Sequence, residues 1–119
     1  MPFKTLLNAL VESVPGAQGA IIADWEGESV EQVGIMDDYD LKVIGAHKGL
    51  ILHNMREVVD RLGDGYLRES VITTRQVQTL ILPVTAEYYL VLAIDRSDML
   101  GRALLEARRC IQALHKEIV

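Results

Sequence analysis

The chain has 119 residues, of which 50% are hydrophobic and 24% are charged, and its formal net charge is −5. This length is enough for one domain with a hydrophobic core, so we expect residues 1–119 to form a single domain. The acidic balance argues against nucleic acid or an anionic membrane as the main partner, because both select clustered Lys and Arg. The single cysteine excludes an intrachain disulfide and fits a reducing compartment. With no apolar run near the roughly 20 residues that span a bilayer, we predict a cytoplasmic protein without membrane insertion.

The first third of the chain predicts a helix followed by a β-hairpin. Apolar residues recur at spacings of three and four within Phe3–Ser13, which is typical of an amphipathic helix. Pro15-Gly16 is expected to end this helix. Ala17–Asp24 predicts a strand that is apolar on both faces, and Glu28–Val33 predicts a more polar returning strand that suits a sheet edge.

The middle of the chain predicts one long helix, which begins at the acidic residues after Met36 and ends near Leu62, before Gly63. Its apolar residues cover so wide an arc that more than one face must be buried. Gly45 and Gly49 each cost about 0.5–1 kcal/mol relative to alanine inside a helix. They indicate either a tolerated loss of propensity or a flat ridge on which another helix packs closely, and the spare apolar face favours the ridge.

The remaining chain predicts three strands and a helix. Gly65–Thr74 combines a polar start with strong strand formers, which is typical of an edge strand. A turn at Arg75-Gln76 leads into Val77–Val84 and then Tyr88–Asp95. Tyr88–Asp95 is apolar on both faces and therefore belongs at the centre of the sheet. Ser97 is a suitable N-cap for the last helix.

These elements predict an α+β domain with the order α-β-β-α-β-β-β-α. Hairpin neighbours pair, and the two strands that are apolar on both faces lie together, which gives a five-stranded antiparallel sheet in the order 2-1-5-4-3. The first and third helices are expected on one face and the second helix on the other. The edge position of the third strand and the spare face of the second helix predict a twofold dimer. Its interface residues are Gly45, Gly49, Leu52, Val71, Ile72 and Thr73.

No group of residues predicts catalysis, a cofactor or a metal site. His47 and His53 are six residues apart on one helix and do not share a face. Cys110 falls on the apolar stripe of the last helix, which predicts a buried structural thiol. Trp25, at the first hairpin turn, either folds back over the first helix or serves as an exposed anchor for a partner.

Several segments resemble the roadblock family of dynein light chains and small-GTPase regulators. They are Val14–Ala20, Asp24–Gly27, Leu82–Ala93 and Leu100–Ala103. The resemblance implies a profilin-like domain, homodimers or heterodimers formed through the second helix and third strand, and binding of Ras-like GTPases or motor-complex subunits. The turn Thr74-Arg75-Gln76 lacks the Gly or Asp of the family pattern, which leaves the register of that hairpin open.

Three functions are consistent with these expectations. The first is a dimeric, non-enzymatic adaptor that pairs with itself or a paralogue and regulates a Ras-like small GTPase by contacting its switch loops. The second is a structural light chain or scaffold in a cytoskeletal or membrane-associated complex. The third, a ligand sensor, ranks last because the inward faces of the strands offer few polar residues for a binding cavity.

Overall fold

A computed structural model describes residues 2–24, 28–34, 53–63, 65, 67–95 and 100–118. The described part of the second helix, here α2, is residues 53–62. The other elements are α1 (Pro2–Ser13), β1 (Ala17–Asp24), β2 (Ser29–Gly34), β3 (Ser70–Thr73), β4 (Val77–Pro83), β5 (Tyr88–Asp95) and α3 (Leu100–Ile118). This sequence of elements confirms the predicted order.

The five strands form one antiparallel sheet in the order β2-β1-β5-β4-β3, as predicted. β1 and β5 pair along nearly their whole length, from Ala17 opposite Ile94 to Asp24 opposite Tyr88. These are the two strands that the sequence predicted at the centre of the sheet. Their central position follows because a strand that is buried on both sides needs a neighbour along each edge as well as cover on each face.

One face of the sheet is covered by α1 and α3, which pack against each other. Both helices are amphipathic, and their apolar stripes meet the side chains that alternate along the central strands. The fully buried residues of this layer are Leu7, Ala20, Ile22, Leu80, Leu90, Leu92, Ile94, Ala103, Ala107 and Leu114. The predicted placement of the first and third helices on one face is therefore confirmed.

The opposite face of the sheet is also buried. Its central cluster has no member more than 1% exposed and consists of Ile21, Ala23, Ile81, Tyr89 and Val91. Leu67 and Ile72 pack against this cluster. Most of the helix predicted to cover this face lies outside the described residues, including Gly45, Gly49 and Leu52.

The third strand is shorter than the predicted Gly65–Thr74. β3 pairs with β4 only from Ser70 opposite Ile81 to Thr73 opposite Gln78. Just before Ser70, the Glu69 side chain accepts a hydrogen bond from Arg108 of α3. This contact holds the preceding segment close to α3, and residues 67–69 form no ladder with β4.

The turn between β3 and β4 has a defined register although it contains no glycine. The Thr74 backbone N–H donates to the carbonyl oxygen of Val77 at 2.9 Å, and the Thr74 hydroxyl donates to the same oxygen at 3.1 Å. No described residue other than glycine has a positive φ, so Arg75 and Gln76 need no special backbone conformation. The side chain of Thr74 thus helps to close this turn.

Candidate interaction surface

The described part of α2 exposes most of its apolar side chains. Of its four apolar residues, Met55, Val58 and Leu62 are 44%, 49% and 74% exposed, while Val59 is half-buried. Spacings of three and four residues place the exposed three along one side of the helix. An ordinary surface helix turns its apolar side toward the core. We call Met55, Val58 and Leu62 the α2 stripe and treat this apolar stripe as a candidate interaction surface.

β3 lies at one edge of the sheet and pairs with β4 alone among the described strands. Val71 is opposite Leu80 and Ile72 is opposite Thr79, so the two side chains point to different faces of the sheet. Val71 is 38% exposed, Thr73 is exposed, and Ile72 is half-buried in the second-face cluster. An edge of this kind offers backbone N–H and C=O groups to a further strand.

The structure describes three of the sequence-predicted site residues. Val71, Ile72 and Thr73 lie together on β3 at the sheet edge. Trp25 and the helix residues Gly45, Gly49 and Leu52 lie outside the described residues. The α2 stripe was not among the nominated interface residues, although the spacing of its apolar residues was a usable signal in the sequence. That spacing does not by itself indicate which side of the helix faces outward.

An ion pair fixes the chain at the start of β3. Arg108 donates from Nε to Glu69 Oε2 at 3.0 Å and from a second guanidinium nitrogen to Oε1. The hydrogen bond from Arg108 holds the pKa of the Glu69 carboxyl below its ordinary value, and the same contact raises the pKa of Arg108. A bidentate contact between a guanidinium and a carboxylate fixes the positions of both side chains. It therefore ties the segment that enters the edge strand to α3.

Cys110 is a buried thiol without nucleophilic character. It is 7% exposed, and its Sγ lies 3.9 Å from the backbone carbonyl oxygen of Leu6, to which it donates. Burial raises the pKa of this thiol to about 11. The thiolate is the reactive form of cysteine, so Cys110 is un-ionised and structural near neutral pH.

No three His, Cys, Asp or Glu side chains in the part of the chain that the structure describes are grouped to hold a metal. No helix within the same residues combines the length and apolarity needed to cross a membrane.

The topology and the exposed helix and strand together define a profilin-like α+β domain with a surface suited to protein contacts. The Roadblock/LC7 domain model matches residues 4–93, and the chain belongs to the Roadblock/LC7 family. No curated protein matches the sequence significantly.

Solved structures share this fold over almost the whole chain. The Roadblock/LC7 domain from Streptomyces avermitilis superposes with a TM-score of 0.89 at 17% identity, covering 97% of this chain and 96% of that one. Myxococcus xanthus MglB gives 0.88 at 15% identity, covering 98% and 94%. MglC from Myxococcus xanthus gives 0.74 at 24% identity, covering 98% and 99%. At these identities the likeness establishes the common fold.

Proposed function

We propose that this protein is a dimeric, non-catalytic adaptor of the cytoplasm that binds and regulates a Ras-like small GTPase, with residues 1–119 acting as one domain. The exposed α2 stripe is the observation that supports this proposal most directly. A monomer would leave these three side chains exposed to water. Full burial of one such side chain stabilises an assembly by up to about 3 kcal/mol. A second copy of the chain can cover them with the same three residues.

The proposed dimer has a twofold axis that places α2 against α2 and β3 against β3. Pairing of the two edge strands satisfies the outer backbone groups of each β3. The interface then contains the α2 stripe together with Gly45, Gly49, Leu52, Val71, Ile72 and Thr73. Self-association on this fold has a precedent in an MglB structure with a tetrameric arrangement, at a TM-score of 0.86.

The GTPase role is supported by family membership. It is also supported by the fold that the chain shares with MglB from Myxococcus xanthus and with the gliding protein MglB from Thermus thermophilus. In this proposal the dimer presents a preformed surface to the switch loops of the GTPase. A partner that binds one switch arrangement better than another shifts the population toward it, so no nucleophile or metal is required of the adaptor. Trp25 is the proposed anchor residue, since tryptophan is enriched at binding hot spots.

Solution mass tests the dimer. We expect light scattering to give twice the 13.3 kDa chain mass at micromolar concentration. Val58→Glu places a charge in the middle of the α2 stripe and is expected to give folded monomers. Leu105→Glu is the matched control, because Leu105 on α3 is similarly exposed, at 45% against 49% for Val58, and lies outside the interface. A wild-type protein that stays monomeric, or a Val58→Glu dimer as stable as the control, contradicts the proposed assembly.

Nucleotide-dependent binding tests the GTPase role. A small GTPase encoded beside this protein should be retained on the immobilised dimer when loaded with a non-hydrolysable GTP analogue, and much less when loaded with GDP. Trp25→Ala should weaken this retention without changing the solution mass. Equal retention of both nucleotide states argues against regulation. Nucleotide-independent capture of a large cytoskeletal or membrane-associated assembly would instead support the scaffold alternative.

A further inference from the structure

A cleft of about 540 Å³ opens between α2, the β4–β5 turn and α3. The cleft forms where β4 extends beyond the residues that pair with β3. β3 begins at Ser70 opposite Ile81, whereas β4 continues to Pro83, so the last residues of β4 have no described neighbour on that side. The described lining residues are Arg56, Asp60, Leu67, Arg68, Glu69, Leu82, Pro83, Val84, Thr85, Ala86, Arg108, Ile111 and Gln112.

The cleft has an apolar base and a cationic rim. Leu67, Pro83 and Ile111 are half-buried and supply apolar surface. The rim carries three arginines against two carboxylates, in a chain whose net charge is −5. Glu69 and Arg108 compensate each other in an ion pair, which leaves Arg56 and Arg68 against Asp60. The cleft is therefore locally positive on a negatively charged protein, and its field favours an anionic occupant.

We propose that this cleft binds an acidic linear segment of a partner protein, with an aliphatic side chain against the apolar base and carboxylates on Arg68 and Arg108. Arg68 is exposed at the rim, and the side chain of Arg108 is 53% exposed. Arg108 donates to Glu69 from Nε and one terminal nitrogen, and its remaining N–H groups can donate to a further acceptor. Guanidinium groups bind carboxylates through paired, charge-assisted hydrogen bonds. The volume is in the range of natural ligand sites, about 300–1,000 Å³.

The apolar base distinguishes this occupant from simpler ones. A small inorganic anion would use the arginines and leave Leu67, Pro83 and Ile111 in water. A basic segment would meet the positive rim unfavourably. A segment that combines carboxylates with an aliphatic residue satisfies both parts of the cleft, which is the usual composition of a specific site with an apolar body and a few placed polar groups.

On α2, the cleft and the stripe proposed for dimerisation use different sides of the helix. Arg56 lines the cleft, and Val58 belongs to the α2 stripe. Residues two positions apart in a helix are separated by about 200° around its axis. The side chains of Arg56 and Val58 therefore point to opposite sides of α2. Burial of the stripe by a second α2 therefore does not cover Arg56, and binding in the cleft requires no GTPase.

The test is selection of random short peptides displayed on phage against the purified full chain, followed by fluorescence anisotropy with the enriched peptides. We expect enrichment of sequences that carry Asp or Glu beside Leu, Ile or Val. Arg68→Glu should weaken their binding about tenfold or more, and Arg108→Glu should do the same. Arg109→Glu is the matched control, because Arg109 is exposed on α3 and pairs with Glu106 outside the cleft.

Arg68→Glu keeps the proposal testable if Arg108→Glu fails to fold, because Arg68 makes no part of the Glu69–Arg108 ion pair. Binding should also weaken as salt is added, because the contacts lie at an exposed rim. Failure to enrich any peptide, enrichment of neutral or basic sequences, or equal affinity of the Arg68→Glu and Arg109→Glu variants would overturn the proposal. Displacement of the peptides by inorganic phosphate alone at comparable concentration would assign the site to a free anion instead.

Discussion

The guanidinium of Arg102 on α3 donates a hydrogen bond, 2.9 Å long, from Nε to the backbone carbonyl oxygen of Ser13, the last residue of α1. The final carbonyl groups of a helix have no partner within the helix. The guanidinium satisfies one of them and places a positive charge at the negative end of the helix dipole. The two helices that cover one face of the sheet are thus joined at the point where α1 ends.

Removal of this contact should lower stability measurably. Arg102→Ala is expected to reduce the free energy of unfolding by about 1 kcal/mol, because one carbonyl loses its partner. Arg109→Ala is the control, since its exposed i,i+3 pair with Glu106 is worth only about 0.3 kcal/mol. Urea unfolding followed by circular dichroism measures both. Equal losses in the two variants would show that the Arg102 contact has no special role.

Gly34, at the end of β2, is a described position where the backbone of the neighbouring strand leaves no room for a side chain. Its φ is +147°, and a Cβ atom there would lie 2.4 Å from Gly19 Cα and 2.5 Å from the Gln18 carbonyl oxygen. Both neighbours are backbone atoms of β1, so neither can rotate away. Gly34→Ala is expected to cost about 3 kcal/mol or more and to disturb the β1–β2 pairing, because strain of the backbone adds to the overlap.

Gly101→Ala is the matched control for Gly34→Ala. A Cβ atom on Gly101 meets nothing within 4 Å, and the residue lies in the first turn of α3. Alanine favours the helix over glycine, so this variant should be neutral or stabilised by up to about 1 kcal/mol. Thermal unfolding of both variants, with amide exchange in β1 and β2, checks the contrast. A Gly34→Ala protein as stable as the wild type would rule out the close approach.

Thr85 organises the β4–β5 turn through its side chain. Its Oγ1 accepts hydrogen bonds from the backbone N–H groups of Glu87 at 3.1 Å and Tyr88 at 3.2 Å. Thr85→Val keeps the shape and removes both bonds, and we expect a loss of about 1 kcal/mol. Thr85→Ser keeps the oxygen and should lose much less. Chemical denaturation of the pair tests this, and similar values for Val and Ser would contradict the role of the hydroxyl.

The strand order could be predicted because two features in the sequence constrain it together. β1 and β5 are apolar on both faces, which forces them to the centre, and hairpin pairing then places the remaining strands. The start of β3 could not be predicted in this way. Glu69 is held by Arg108, which lies 39 residues further along the chain, and no local pattern reveals such a contact.

The candidate surface was predicted only in part for a similar reason. The spacing of Met55, Val58 and Leu62 is visible in the sequence, but periodicity identifies a stripe without indicating whether it faces the core or the solvent. Val71, Ile72 and Thr73 were nominated because the polar start of their segment predicted an edge strand, and the structure places them on β3 at the edge of the sheet. The Arg102–Ser13 contact had no sequence signal, since an arginine on the polar side of a helix is ordinarily solvated.

Alkaline pH should destabilise the protein through its buried tyrosine and thiol. Burial, with a further contribution from the Asp24 carboxylate, raises the pKa of Tyr89 from 10.0 to about 12, and burial raises that of Cys110 from 9.0 to about 11. The folded state therefore retains protons that the unfolded state has lost. The contribution of these two groups to the free energy of unfolding is fully present below pH 9 and is lost as the pH rises toward 12. For Tyr89 this loss is about 2–3 kcal/mol.

Tyr89→Phe isolates the tyrosine contribution to this decline. The variant has no phenol to ionise, so its free energy of unfolding should fall less steeply than that of the wild type between pH 10 and 12. Tyr88→Phe is the control, because Tyr88 is only half-buried and faces the other side of the sheet. Urea unfolding at a series of pH values gives the slopes. Since Tyr89 belongs to the cluster on the second face, a slope unchanged by Tyr89→Phe would mean that water reaches this layer of the core.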